Sequence, residues 1–311
     1  MSTTTHMASN PPSGAAAREP LRYETAPVGE TVGPIAYTIP SDYNRRRLAA
    51  FSLPEDGFLP GSGIAEPSVL CGQHSWVMRQ RFSWDGSVHA KCDIALHKPV
   101  ALGARIHVSC RLSGKYERRG GRYVVFTLET HDDAGDLVCQ VDNSMLLNFR
   151  EVAAGRRAAG VATRPQANGP APVADAPALQ LSFGPKTLTH EDILGFFAAE
   201  EAVYGPHPSL HNRLDIAQAA GLSDIIAPGR FSIGLMNCLF SQLYGAGWLS
   251  GARYSVTFLQ NLLPGLRLVA QATIARDGAG SGFAIACMDQ VANRPVLSGT
   301  ASLRLAAGSA G

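Results

Sequence analysis

Two histidines, His207 and His211, stand in one proline-containing loop in the second half of the chain. Imidazole is the side chain whose ordinary pKa lies closest to neutral pH, so either ring could give or take a proton. Glu201 and Tyr204 precede the pair and could assist, although a phenol with an ordinary pKa of about 10 would need tuning. This cluster is a candidate site for proton transfer, and the alternative is that the histidines are turn or surface residues that fix a proline-containing loop.

A helix start follows the histidine loop. The segment Ile226-Ala227-Pro228-Gly229-Arg230 precedes the apolar run FSIGLMNCLF, and a glycine at this point allows close approach of the backbone. The turn that begins a helix also exposes its first amide groups, which carry the positive end of the helix dipole. The Arg230 side chain could meet a phosphate group or remain a solvated residue of the first turn.

The remaining histidines and the cysteines do not predict a metal site. Ligand spacing is missing among the histidines of the first half, which are His74, His89, His97 and His107. The six cysteines form no CxxC pair and no Cys/His zinc pattern, and they lie mostly inside apolar runs. We therefore expect free thiols in a reducing cytoplasm, with neither a metal nor another cofactor.

Composition excludes several classes of protein. Of the 311 residues, 45% are hydrophobic and 17% are charged, which is typical of a globular protein with a sizeable core. A formal net charge of +2 predicts no broad attraction to nucleic acid or to an anionic membrane. No run approaches the roughly 18 apolar residues of a membrane span, and the N-terminus lacks the apolar core of a signal peptide. The sequence thus predicts neither nucleic-acid nor membrane partners.

The chain is expected to divide into two halves. Residues 1–27 are predicted to be a disordered leader. Residues 151–177 are rich in Ala, Gly, Pro and Arg without periodicity, which predicts a linker. The N-terminal half then covers residues 28–150, and the C-terminal half covers residues 178–311.

Both halves show the same predicted order of helices. In the first, Ser41 caps a helix over 44–51 that carries the basic run NRRR, and the apolar run VLCGQHSWVM predicts a second helix. The basic run is expected to be a solvated helix face or a contact for the nucleotide end of a thioester. In the second half, Thr189 and Asp192 form a capping box for a helix over 191–199, and FSIGLMNCLF predicts the second helix.

Four strands are predicted after the helices of each half. In the first half they cover 88–96, 104–114, 121–131 and 136–148, with a hairpin that turns at Gly120-Gly121. In the second half they cover 251–259, 266–275, 282–290 and 296–305.

Equal spacing supports a duplication. Ala65 and Gly103 are 38 positions apart (103 − 65), and so are Ala227 and Gly265 (265 − 227). From helix cap to the Ile-Ala pair, however, the first half uses 24 positions (65 − 41) and the second uses 38 (227 − 189). The extra residues contain the histidine loop, GPHPSLHNRLDIAQAAG, and insertions of this kind are frequent locations of function.

The order of elements predicts an architecture. A helix followed by several antiparallel strands buries both only if the sheet wraps around the helix. Two such units can pair their sheets edge to edge, which also removes exposed strand edges. The predicted class is α+β, with two helix-wrapping antiparallel sheets paired as an intrachain pseudo-dimer.

The motifs resemble those of MaoC-like hydratases and dehydratases. The run from His211 to Leu222, followed by IIAPG at 225–229, resembles the signature of (R)-specific enoyl-CoA hydratases. The segments VTF at 256–258 and LPG at 263–265 resemble the strand and Pro-Gly turn of that family. In the first half, VHA at 88–90 and KPV at 98–100 resemble the partner half of two-domain members. The resemblance covers most of residues 28–306 and implies a double hotdog fold.

The resemblance also implies an activity. Members add water to an enoyl thioester or remove it from a 3-hydroxyacyl thioester, so the implied substrate is a CoA- or carrier-protein-bound acyl group in a biosynthetic pathway. His211 matches the family's catalytic histidine. Gly229 matches its oxyanion-binding turn, with the amides near Arg230 and Phe231 as further donors. The first half would shape the acyl pocket, and a homodimer of double hotdogs is compatible with the family.

The chain departs from the family at the catalytic aspartate, because Pro206 stands at that position. His207 or Glu201 could assist His211 instead, or Tyr204 could donate a proton. Three functions therefore stay open: a hydro-lyase, a repurposed hotdog enzyme such as an isomerase or cyclase of a polyketide-like chain, and a non-catalytic subunit that binds acyl thioesters.

Overall fold

A computed structural model describes residues 18–84, 87–152, 179–274 and 281–304. The strands are β1 (Glu19–Pro20), β2 (Thr31–Thr38), β3 (Phe82–Ser83), β4 (Val88–Leu96), β5 (Arg105–Arg118), β6 (Gly121–Asp132), β7 (Leu137–Leu146), β8 (Gln180–Thr187), β9 (Ala252–Phe258), β10 (Arg267–Ile274), β11 (Ser281–Asp289) and β12 (Arg294–Leu303). The α-helices are α1 (Tyr43–Ala49), α2 (His74–Val77), α3 (His190–Tyr204), α4 (Leu214–Ala219) and α5 (Arg230–Tyr244). Short 3₁₀ turns cover Pro67–Cys71, Met78–Gln80 and Gly245–Ser250.

Ten strands form one sheet in the order β2-β5-β6-β7-β4-β9-β12-β11-β10-β8, and every neighbouring pair is antiparallel. The halves meet where β4 pairs with β9, so each half contributes five strands. This arrangement agrees with the predicted α+β class and edge-to-edge pairing. The sequence did not predict β2 and β8, each of which contains a Gly-Pro pair. Both strands lie at edges of the sheet, where a proline costs no ladder hydrogen bond.

The register at the seam shows the internal symmetry. Asp93 pairs with Ser255, which lies 162 positions later (255 − 93). The pairs on either side, Cys92 with Val256 and Ile94 with Tyr254, are placed symmetrically about this central pair. The same offset separates Ala65 from Ala227 (227 − 65), which are the anchors of the predicted duplication. Residues 162 positions apart are therefore equivalent from the Ile-Ala pairs to the start of β5 and β10.

The long helix predicted over VLCGQHSWVM in the first half is wrong. This segment is broken into the 3₁₀ turn Pro67–Cys71, α2 and the turn Met78–Gln80. The break lies at Gly72, where a side chain would come within 2.7 Å of the Arg230 guanidinium. In the second half the equivalent segment is the unbroken α5, most of whose residues are buried against the sheet. The helical core of the molecule is thus asymmetric.

The predicted helix cap of α3 is confirmed, whereas the predicted cap of α1 and the predicted hairpin turn are corrected. Thr189 and Asp192 form the predicted capping box, which begins α3 at His190. The cap of α1 is Asp42 rather than Ser41, and its side chain makes no capping hydrogen bond. The β5–β6 hairpin turns at Arg119 and Gly120, both with positive φ, one position earlier than predicted.

The predicted leader and linker are described only in part. In the leader, β1 pairs with β3, and Leu21 and Ala26 are buried, so residues 18–27 are packed rather than disordered. Residues 1–17 of the leader and 153–177 of the linker lie outside the described residues.

The basic run 44–47 is a solvated face only at Arg45 and Arg46. Arg45 and Arg46 are exposed and pair with Asp42, whereas Arg47 is fully buried. Arg47 lies on the buried face of α1 with Tyr43 and Leu48. The buried carboxylates of Glu66 and Glu200 compensate its charge there.

Candidate active site

A cavity of about 110 Å³ lies between the two halves. The first half supplies His74, Ser75, Arg79, Trp84, Ser87, Val88, His89 and Met145 to its wall. The second half supplies residues from the histidine loop, the start of α5 and the segment after β9. No Asp or Glu lines this wall within the described part of the chain.

His211 lies in the loop between α3 and α4 and lines the cavity. Its Nδ1 atom is 2.8 Å from the carbonyl oxygen of Ile226, which can only accept, so Nδ1 carries the proton. Nε2 is then the ring nitrogen that remains for the cavity. Burial, followed by the charge of Arg230, lowers the pKa of His211 to about 3, so the ring is neutral at pH 7 and presents a lone pair.

The loop that carries His211 is fastened at several points. Glu201 Oε1 accepts hydrogen bonds from the His207 amide at 2.7 Å and from Asn212 Nδ2 at 3.2 Å. The His211 amide donates to Ser209 Oγ, and Asn212 Oδ1 accepts from the Ser209 amide. Glu201 therefore shapes the loop from outside the cavity wall, which corrects its predicted role as a catalytic base.

His207 also lines the cavity, as predicted. Its ring lies 5.7 Å from that of Trp76 and 6.3 Å from that of Phe197, measured between ring centroids. Burial, followed by the charge of Arg79, lowers the pKa of His207 to about 3. The two loop histidines thus share one cavity, and both are neutral at pH 7.

Tyr204 does not reach the cavity wall. Its hydroxyl donates to the Val69 carbonyl oxygen at 3.0 Å, and burial raises its pKa well above the ordinary value. The predicted role of Tyr204 as a proton donor to substrate is therefore wrong: its proton is held by the backbone, inside the core.

The start of α5 supplies amide groups to the cavity. Gly229 and Arg230 both line it, and neither amide has an acceptor among the described residues. A side chain at Gly229 would meet the Phe258 ring at 2.7 Å, which explains the need for glycine. The Phe231 amide donates to the Pro228 carbonyl oxygen at 2.8 Å, so its predicted contribution to oxyanion binding is corrected.

The Arg230 side chain is neither solvated nor free for a phosphate. It forms a two-pronged ion pair with Glu200 of α3, and both residues are buried. Glu200 also pairs with Arg47, whose guanidinium reaches Glu66 as well. Two arginines and two glutamates from both halves therefore form one buried, compensated network directly behind the cavity.

The sequence did not single out the polar wall of the first half. His89 Nε2 lies 2.7 Å from Asn143 Oδ1, and Asn143 Nδ2 lies 2.9 Å from His74 Nδ1. His74 in turn contacts the neighbouring Ser75 hydroxyl, which lines the cavity. Sequence spacing cannot find this group, because α2, β4 and β7 meet only in the folded chain.

A much smaller cavity, of about 10 Å³, occupies the symmetry-related position in the first half. Its lining residues Ala65, Pro67, Leu96 and Val100 are the equivalents of Ala227, Gly229, Phe258 and Leu262, all of which line the large cavity. Pro67 has no amide hydrogen where Gly229 has one. The duplicated site is therefore closed in the first half.

Metal binding and membrane insertion find no support in the described ranges. No group of three or more His, Cys, Asp or Glu side chains there is arranged to hold a metal ion. None of the helices in the same ranges has the length and apolar character needed to cross a bilayer.

No protein-family profile and no curated protein matches this chain. Solved structures do: a MaoC-like dehydratase aligns with 92% of this chain and 100% of its own at 16% identity, with a TM-score of 0.65. A MaoC-like dehydratase from Phytophthora capsici aligns with 91% of this chain and 97% of its own at 12% identity and a TM-score of 0.62. A Mycobacterium tuberculosis protein with a double hotdog fold aligns with 92% of this chain and 99% of its own at 13% identity and a TM-score of 0.56. At these identities the comparisons establish the fold, which is the double hotdog.

Proposed function

Given the double hotdog fold shared with MaoC-like dehydratases, we propose that this chain adds water to enoyl thioesters or removes it from 3-hydroxyacyl thioesters. The observation that carries the proposal is the position of His211. Its Nδ1 proton is fixed on the Ile226 carbonyl oxygen, so its Nε2 lone pair is left for a cavity that also contains the exposed amides of α5.

In the dehydration direction, His211 Nε2 takes the proton from C2 of the 3-hydroxyacyl thioester. The electron pair of that C–H bond forms the C2=C3 double bond, and the C3–O bond breaks. The imidazolium returns its proton to the departing hydroxide, which leaves as water, so the ring ends neutral as it began. Hydration is the reverse.

Negative charge gathers on the thioester oxygen during this step. The amides of Gly229 and Arg230 are the proposed donors to that oxygen, and the dipole of α5 adds to their effect. The Glu200 carboxylate compensates the Arg230 guanidinium, so the backbone amides are the principal electrophile in this proposal.

A second candidate is isomerisation or cyclisation of a polyketide-like acyl chain. It is favoured by the wall composition, because no carboxylate of the described residues lines the cavity to share the proton work. Such reactions need one proton shuttle, which His211 alone can provide. A non-catalytic subunit that binds acyl thioesters is the alternative without chemistry.

Replacement of His211 by alanine tests the proposal. We expect kcat/KM for dehydration of 3-hydroxyacyl-CoA to fall about 10²- to 10⁴-fold, because the general base is lost. The measurement is the ultraviolet absorbance of the conjugated enoyl thioester. The matched control is His107→Ala, since His107 lies on β5, outside the cavity, and pairs with Asp133.

Three outcomes would contradict this assignment. Full activity of a folded His211→Ala protein would remove His211 from the chemistry. Binding of the thioester by the unmodified protein without any turnover would favour the non-catalytic subunit, and conversion to a product without loss of water would favour the isomerase or cyclase.

The carrier and setting belong to the same proposal. A CoA or acyl-carrier-protein thioester is the expected substrate form, in a biosynthetic pathway, and a homodimer of double hotdogs is the expected assembly. The six cysteines are unpaired and buried, which fits a reducing cytoplasm.

A further inference from the structure

The polar wall of the first half contains four hydrogen-bonded side chains in series, those of His89, Asn143, His74 and Ser75. The proposed reaction does not use this hydrogen-bond chain. Asn143 on β7 is fully buried, and its Nδ2 donates to the Cys71 carbonyl oxygen at 2.8 Å. A carbonyl oxygen only accepts, so this bond fixes the orientation of the amide. Asn143 Oδ1 must therefore face His89, and its Nδ2 must also serve His74.

The direction of each hydrogen bond follows from that orientation. His89 Nε2 donates to Asn143 Oδ1 at 2.7 Å, and Asn143 Nδ2 donates to His74 Nδ1 at 2.9 Å. Burial holds the pKa of His74 well below its ordinary value, so the ring is neutral and its single proton lies on Nε2. That proton faces Ser75 Oγ across 3.4 Å, a long hydrogen bond.

Ser75 is the last residue of this hydrogen-bond chain. Its oxygen accepts from His74, so its own hydroxyl proton must find an acceptor elsewhere, and no described residue provides one. Ser75 lines the cavity, so that proton is available to a ligand. Hydrogen bonds that run in one direction polarise one another, which strengthens the last donor.

This donor is half-buried and lies on the first-half wall of the cavity, beside buried side chains. Trp84 and Met145 are each 6% exposed and His74 is 1% exposed, whereas Pro208 on the second-half side is exposed to solvent. In the proposed function, a thioester whose carbonyl meets the start of α5 extends its acyl tail toward the first-half wall that contains Ser75.

The fold itself does not require these polar groups. The residue equivalent to His74 in the second half is Met236 (74 + 162), and the equivalent of His89 is Gly251 (89 + 162). A plain hydrocarbon tail packed on the half-buried Ser75 hydroxyl would cover this donor and leave it unsatisfied, at a cost of about 1–3 kcal/mol. The wall is therefore matched to a ligand that carries an oxygen next to Ser75.

We propose that Ser75, oriented by the His89–Asn143–His74 chain, binds a hydroxyl or carbonyl oxygen of the acyl group beyond C3. The substrate class is then oxygenated acyl thioesters rather than plain saturated chains. The inference rests on the proposed function, since it takes the bound molecule to be an acyl thioester.

The test compares pantetheine thioesters of 3-hydroxyhexanoate and 3,5-dihydroxyhexanoate. The unmodified protein should convert the dihydroxy substrate with a kcat/KM at least about 10-fold higher, as expected for one buried hydrogen bond. In Ser75→Ala this ratio should fall to about 1, while Ser75→Thr, which keeps the hydroxyl, should retain most of it. Ser109→Ala, the same change on β5 outside the cavity, should leave the ratio unchanged.

Binding separates this inference from the proposed reaction. Unreactive thioether analogues of the two substrates are titrated by calorimetry, and the same ratio is expected in their Kd values. A preference that disappears in Ser75→Ala supports the subsite even if neither thioester is converted. A ratio of about 1 in the unmodified protein, the same preference in Ser75→Ala, or binding of neither analogue overturns it.

Discussion

Single residues at this site are defined by their hydrogen-bond partners rather than by their type. His211 is the base of the proposed reaction, and one backbone carbonyl orients it by holding its Nδ1 proton. His89, of the same type in the same cavity, donates its Nε2 proton to Asn143 and has a part in the proposed binding subsite instead. Glu201 is a carboxylate next to the histidine loop, yet it accepts from the loop backbone at the His207 amide and does not line the cavity.

The neutral histidines predict how stability depends on pH. The pKa values of His89, His207 and His211 are lowered to about 3, below the ordinary 6.5 of the unfolded chain. Between these values the unfolded chain binds more protons, so the free energy of unfolding falls as pH decreases from about 6.5 toward 3.

Replacement of one of these histidines should reduce that dependence. Each contributes up to about 1.4 kcal/mol per pH unit within this window. We expect His211→Gln to lose less stability than the unmodified protein between pH 5 and pH 4, by up to that amount. Urea unfolding at both pH values measures it, and parallel losses in the two proteins would show that His211 is not buried as a neutral ring.

At the scale of elements, a buried network of charges connects the helices of both halves. Arg47 of α1 and Arg230 of α5 both pair with Glu200 of α3, and Arg47 also reaches Glu66. The Arg47 guanidinium lies over the Phe196 ring at 3.1 Å from its centroid. The start of α5, with its exposed amides, is therefore held in place by α3, which also begins the histidine loop.

Loss of the central carboxylate should destabilise the protein strongly. Glu200→Gln leaves two buried guanidinium groups with reduced compensation, and we expect the free energy of unfolding to fall by about 3–5 kcal/mol. Glu191→Gln, an exposed position in the first turn of the same helix, is the control, with a change within about 0.5 kcal/mol. Denaturant unfolding provides both values. A loss of less than about 1 kcal/mol for Glu200→Gln would show that the network is not a major source of stability.

At the scale of the whole molecule, the duplication has become asymmetric. Where β4 pairs with β9, Asp93 lies opposite its equivalent Ser255, 162 positions later (255 − 93), yet only one of the two symmetry-related cavities is open. In the first half the long helix is broken, Pro67 replaces the glycine, and no counterpart of the inserted histidine loop is present in the sequence.

One binding site per chain follows from this asymmetry. Titration of the chain with an unreactive thioether analogue of a 3-hydroxyacyl-CoA should give one equivalent bound per chain, because Pro67 removes the amide donor from the closed cavity. Isothermal calorimetry measures the stoichiometry. Two equivalents per chain would mean that the first-half cavity opens for the ligand.

The sequence by itself determined the periodic features of this protein. Alternating hydrophobic strands, the Thr189/Asp192 capping box and the equal anchor spacings are local or repeating patterns, so they predicted the strands from β4 to β7 and from β9 to β12, α3 and the duplicated fold. The inserted loop marked the half that carries His211 and His207. Both residues do line one cavity with Gly229.

Only the tertiary structure decided what surrounds those residues. Whether Glu201 and Tyr204 face the cavity depends on how α3 packs, and whether Arg230 is free depends on Glu200, thirty positions earlier in the chain (230 − 200). The chain from His89 to Ser75 joins three segments that no sequence period relates. Such contacts arise from packing between distant elements, so their partners, and the burial that sets their pKa values, exist only in the folded chain.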